Sequence, residues 1–166
     1  MKIGLFVGIV LVILAGSTAL LILMINTPKS TVLPVIFTIY VVGEVVAIMF
    51  LAFHMLWRPI AGQYPPQAHG EDAITRKMQS FSLGIVNMGM SINATADSAH
   101  LHLEPVAWLR FFGASRMSIP WTDLKPHGRG GRSARLGTTG PVLQGPKWCM
   151  ELVQASEPDE DDTPQG

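Results

Sequence analysis

The sequence predicts a membrane α-helical hairpin followed by a small, mainly-β (α+β) soluble domain. Three observations carry this expectation. Two long apolar runs, residues 3–25 and 33–57, flank the polar break Asn26-Thr27-Pro28-Lys29-Ser30-Thr31; a Pro-containing change of composition follows over residues 58–72; and period-two alternation appears beyond residue 73. The expected organisation is a transmembrane hairpin over residues 1–57, a connector over 58–72, a β domain over 73–155 and an acidic tail over 156–166.

The first run carries no charge, and at about 1.5 Å per residue it reaches roughly 35 Å, enough to cross a hydrocarbon core with some tilt. The second carries Glu44 near its middle and His54 near its end. A central acidic residue costs about 3 kcal/mol on the insertion scale, and each central Leu, Ile, Val or Phe returns roughly 0.3–0.6 kcal/mol. The second run holds fourteen of those four residue types, so the sum favours insertion. Pro34 lies in the first helical turn, where no amide donor is required. Lys2 and Ala15-Gly16-Ser17 have the look of a signal peptide, but the apolar run continues through Leu20-Leu21-Ile22-Leu23 and is too long for one. An uncleaved hairpin puts both termini on one side. Lys2, Arg58, Arg76 and Lys77 lie on that side against Lys29 alone in the turn, which favours two passes through a cell inner membrane with both termini cytoplasmic. Trp57 and Arg58 suit the aromatic and basic anchors of a helix end.

The formal net charge is zero but unevenly spread. Residues 58–155 carry ten Lys or Arg against six Asp or Glu, and Glu157, Asp159, Glu160, Asp161 and Asp162 crowd the tail. A single cysteine, Cys149, excludes an internal disulfide framework and a Cys-rich zinc site.

Spacing at 100° per residue places Gly4, Gly8, Ala15 and Ala19 in one small-residue stripe and Tyr40, Gly43, Glu44, Ala47 and His54 in another, two surfaces expected to pack together. Antiparallel folding sets Glu44 at the depth of Gly16, Ser17 and Thr18, with the two hydroxyls in reach of the carboxyl group. An intramembrane acid is a candidate for a proton or ion path, and equally for a polar clamp between helices or protomers. Two helices alone enclose no path, which favours the clamp.

In the soluble part, Ser91-Ile92-Asn93-Ala94-Thr95 and His100-Leu101-His102-Leu103-Glu104 flank the turn signal Asp97-Ser98 and predict a hairpin. Leu101 and Leu103 are expected in the core, and His100, His102 and Glu104 in solvent. Arg116 to Trp121 reads as an edge strand, with Pro120 protecting the edge and Ile119 and Trp121 as core anchors. Further strands are expected over residues 133–138 and 148–153, with Cys149 buried in the latter. The segment from Val106 to Phe112 is apolar and of undecided type. Tyr64-Pro65-Pro66 stiffens the connector, which is expected to hold the domain off the bilayer.

Trp57-Arg58-Pro59-Ile60-Ala61-Gly62-Gln63-Tyr64-Pro65, the Leu101-His102-Leu103 strand and Ile119-Pro120-Trp121-Thr122-Asp123-Leu124 together resemble small bacterial two-helix membrane proteins of unknown function. Their shared pattern is a Trp, a Leu-Ala pair, a Tyr-Pro, a Leu-x-Leu strand and an Ile-Pro-Trp-x-x-Ile close. Ile60 and Leu124 depart mildly from it. The same stretch is similar to bacterial pleckstrin-like and GRAM-like β domains. Neither resemblance implies an enzyme.

Three features have the residue types for chemistry. His100-x-His102 with Glu104 can bind zinc or copper if the strand presents them together, but no fourth ligand is evident, and a solvated strand face is the simpler expectation. The loop from Lys125 through Arg129, Arg132 and Arg135 is basic and glycine-rich, suited to phosphate, anionic lipid headgroups or RNA, with a plain exposed flexible loop as the equal alternative, and it lacks a P-loop ending. Nucleic acid is not an expected partner. Cys149 has no neighbouring His, Asp or Glu in sequence. Asn93-Ala94-Thr95 matches a glycosylation sequon that has no meaning in the cytoplasm. No nucleophile set, metal set or cofactor fingerprint is complete, so neither an enzyme nor a cofactor is expected. The expected function is a membrane-tethered interaction module whose β domain binds a protein or lipid headgroup, with the hairpin available for a homo-oligomer. The alternative is an accessory subunit of a transport or envelope complex, with Glu44 acting inside a larger helix bundle.

Overall fold

The computed structural model describes residues 2–28, 30–128 and 130–155. Lys29, Arg129 and the acidic tail lie outside the described residues. Contacts divide the chain into two compact units between Pro59 and Ile60.

The first unit holds helix α1 (Lys2–Asn26) and helix α2 (Val32–Ala52), followed by a π-helical turn (Phe53–Trp57). Both helices are long and apolar enough to cross a membrane. On α1 the less exposed face is Phe6, Ile13, Gly16, Ser17 and Leu20, spaced by three, four or seven residues. The Gly4, Gly8, Ala15 and Ala19 stripe is instead exposed, and a Cβ added at Gly4 or Gly8 meets nothing within 4 Å. Gly43 is likewise exposed and open. The contact between the helices therefore omits the α1 stripe and Gly43 but includes Tyr40 and Glu44 of the α2 stripe. Its rotation follows the polar atoms: Ser17 faces Glu44, and the Tyr40 hydroxyl donates to the Ile13 carbonyl at 3.3 Å. Ser17 also has an acceptor on its own helix, the Leu14 carbonyl at 2.9 Å, whereas the Tyr40 hydroxyl and the Glu44 carboxyl group reach across to the neighbouring helix.

Helix α3 (Arg58–Ala61) leads into the second unit. There, strands β1 (Ile74–Leu83), β2 (Val86–Ala96), β3 (His100–Pro105), β4 (Met117–Pro120), β5 (Leu124–Pro126), β6 (Ser133–Leu136) and β7 (Val142–Gln144) form one antiparallel sheet. Its order is β4-β3-β2-β1-β7-β6-β5, so β1 pairs with both the second and the last strand. The β1–β2 turn is two residues long and begins with Gly84 at φ +58°, a left-handed conformation that glycine adopts without a Cβ clash. Helix α4 (Ala107–Phe111) links β3 to β4, and helix α5 (Lys147–Ala155) follows β7. Phe81, Ile92, Leu101, Leu103, Ile119, Leu143 and Met150 fill the core.

Three expectations change. Residues 148–153 are helical rather than extended: Cys149, Met150 and Val153 are buried at the i, i+1, i+4 spacing of a helix face, which a short apolar run does not distinguish from a strand. Trp121 leaves the strand and sits in a 3-10 turn (Trp121–Asp123). Residues 60–72 belong to the β unit and dock on it, so they are no free spacer.

Candidate functional site

Asp97 closes β2 and directs its carboxylate into a buried polar cluster. Its Oδ1 accepts the N–H groups of Ala99 (2.9 Å) and His100 (2.6 Å), and its Oδ2 accepts that of Gly70 (2.9 Å) and faces His102 Nε2 at 2.8 Å. On the far side of the ring, His102 Nδ1 lies 2.8 Å from Ser118 Oγ, which also accepts the Gln67 N–H at 2.8 Å. The Ser118 N–H donates to the Tyr64 carbonyl, and Trp121 Nε1–H donates to the Asp97 carbonyl. Residues 64–70 are thereby laid across β4 and β3. This corrects the expectation that His102 faces solvent: His102 is 4% exposed because the docked segment covers the outer side of β3. β3 is buried on both faces, which alternation by itself does not reveal. Burial alone would raise the Asp97 carboxyl, but the hydrogen bonds from His102, Gly70, Ala99 and His100 outweigh it and hold the pKa well below the usual carboxylate range.

Two chemistries share these residue types. Ser118, His102 and Asp97 form a hydrogen-bonded chain like a hydrolytic triad, beside a cavity of about 210 Å³ lined by Tyr64, Gln67 and His100. Ser118 Oγ, however, already holds the Gln67 N–H, and the Ser118 N–H, the donor an oxyanion needs, is bonded to the Tyr64 carbonyl. Asp97, His100 and His102 bring three possible metal-ligating atoms within 4.8 Å of one another. All four acceptor directions of Asp97 are filled, and both His102 nitrogens have partners, so a cation must displace several hydrogen bonds to bind. Glu104 is not part of the group: it pairs with Arg110 and Arg116. The cluster acts as a clasp between residues 64–70 and the sheet.

In the helical unit, Glu44 is 7% exposed, and its Oε1 lies 3.4 Å from Ser17 Oγ, whose hydroxyl also has the Leu14 carbonyl at 2.9 Å as an acceptor. Thr18 is exposed and donates to the Leu14 carbonyl instead. A Cβ at Gly16 would meet the Tyr40 hydroxyl, so a larger residue there must displace the Tyr40 ring from its bond to the Ile13 carbonyl.

Ile119 is fully buried, Pro120 half-buried at the end of β4, and Trp121 8% exposed. Lys125 and Arg135 are direct cross-strand partners on β5 and β6, with Arg132 at the start of the return strand. Among the described residues none of the three has an ion-pair partner. Burial pushes the Cys149 thiol up to about 12, against the opposing effects of the Cys149 and Met150 N–H groups and of Arg76. Its Sγ–H donates to the Pro146 carbonyl.

Comparison with protein-family models, curated proteins and solved structures finds no match for this chain.

Proposed function

We propose that the chain is a non-enzymatic, membrane-tethered interaction module of a bacterial cytoplasmic membrane. The hairpin anchors it with both termini on the cytoplasmic side, and the β domain binds a protein or a lipid headgroup there. The observation that carries this reading is the contrast between the two units. Along α1 and α2, Leu11, Val12, Ile39 and Val42 are more than half exposed, a surface suited to hydrocarbon rather than water, whereas the β unit has its own closed core. The meander order followed by a single helix supports the pleckstrin-like reading of the domain. The non-enzymatic reading draws on the clasp, whose serine and aspartate are occupied in holding residues 64–70. Glu44 serves as a clamp within the hairpin, since its hydrogen-bond partner lies on the adjacent helix.

Topology tests this reading directly. In a Cys149→Ala background, exposed Thr139→Cys is treated with a membrane-impermeant maleimide on intact cells and on inverted vesicles. Labelling in inverted vesicles alone is expected; labelling of intact cells would place the domain outside and sink the proposal.

A further inference from the structure

We infer that the outer face of β1, β2 and β7 holds a binding site for one anionic lipid molecule, with its phosphate on Arg132 and its apolar part against Met78 and Met90. The inference deepens the reading above and rests on it, since it takes the domain to work beside a lipid surface.

The site is built from strand register. Ser80 opposes Met90, Ser82 opposes Gln144, and Gln144 opposes Ser133, all pointing away from the core that Phe81, Leu83, Leu143 and Ala134 fill. Ser80, Ser82, Met90 and Gln144 line a groove of about 480 Å³, a size suited to small ligands, together with Met78 and Arg132. Its two sides differ in chemistry. Met78 and Met90 are 56% and 69% exposed and supply flexible apolar surface. Arg132 is the charged residue of its lining, and among the described residues it has no ion-pair partner. The serine hydroxyls and the Gln144 amide on the floor offer donors to further phosphate oxygens.

The backbone of β1 is distorted at this place. Met78 has φ +54°, a left-handed conformation that costs a non-glycine residue about 1–2 kcal/mol, and the β1–β2 register shifts three times between Arg76 and Ser82. The distortion is held from two sides. The Met78 N–H donates to Asn93 Oδ1 (3.2 Å), and Trp148 Nε1–H of α5 donates to Gln79 Oε1 (3.2 Å), with Arg76 stacked over the Trp148 ring. Bulges of this kind re-aim side chains at binding sites.

The test uses the full chain in phosphatidylcholine nanodiscs with methyl-13C-labelled methionines, the Met78 and Met90 signals being assigned through Met78→Leu and Met90→Leu. The probes are dihexanoylphosphatidate, dihexanoylphosphatidylcholine and inorganic phosphate. Saturable shifts of both methyl signals with the phosphatidate are expected, and Arg132→Gln weakens that binding by about tenfold or more, the size of one lost charge-assisted contact. Unshifted signals from buried Met88, Met117 and Met150 show that the variant is folded. Any of three results overturns the inference: no saturable shift, equal binding of the phosphatidylcholine or of inorganic phosphate, or unchanged affinity in Arg132→Gln. Failure here leaves the Thr139→Cys labelling pattern as it was, whereas failure of the topology leaves this titration intact.

Discussion

At the scale of the residue, Asp97 is the group on which most of the β domain's buried polar atoms depend. It accepts three backbone N–H groups and faces His102, and its own carbonyl takes the Trp121 indole proton. Asp97→Asn is expected to cost about 3 kcal/mol in urea unfolding, because the amide nitrogen cannot accept the backbone N–H that the replaced oxygen held and the charge-assisted bonds are lost. The pH dependence has a definite sign. The folded pKa of Asp97 lies below its unfolded value of about 3.9, so its contribution is complete at neutral pH and is lost as the pH falls below that value. Unfolding midpoints measured from pH 7 down to 2 should show a steeper acid loss in the parent than in Asp97→Asn. Equal slopes would mean that the clasp contributes little. The sequence pointed to a turn at Asp97-Ser98 and to the two histidines, but not to Ser118 as their partner. Ser118 stands sixteen residues from His102 in an ordinary strand and has no local signal.

At the scale of the element, the segments with strong periodicity were legible and the short or distorted ones were not. The β2–β3 hairpin follows from the alternation of Leu101 and Leu103 around a turn. β1 was missed because its register shifts break the alternation between Arg76 and Ser82. In the helices, Glu44 and Tyr40 were recognisable as polar groups needing partners. The stripe of Gly4 and Gly8 misled, because small size permits close packing without requiring it. Gly16→Leu is therefore expected to separate α1 from α2 and to lower the detergent melting temperature, with a cost of about 1–3 kcal/mol, whereas Gly4→Leu leaves it unchanged. Equal effects at the two glycines would contradict this packing.

At the scale of the whole molecule, Cys149 reports on the integrity of the β domain. It is fully buried on α5 and its thiol is held protonated, so a thiol reagent should react with the parent chain only as fast as the domain opens. Labelling rates in rising urea are expected to follow the unfolding transition; rapid labelling in buffer would show that α5 detaches locally. The chain's broad plan, two apolar helices and then a β domain, was already determined by composition and periodicity, since hydrocarbon-length apolar runs and period-two alternation are local properties of consecutive residues. Tertiary structure decided that β3 is buried on both faces, where residues 60–72 lie, and which polar groups meet. Those outcomes depend on contacts between residues far apart in the chain: Gln67 with Ser118 and Gly70 with Asp97 convert an apparently solvated strand face into a buried hydrogen-bonded cluster.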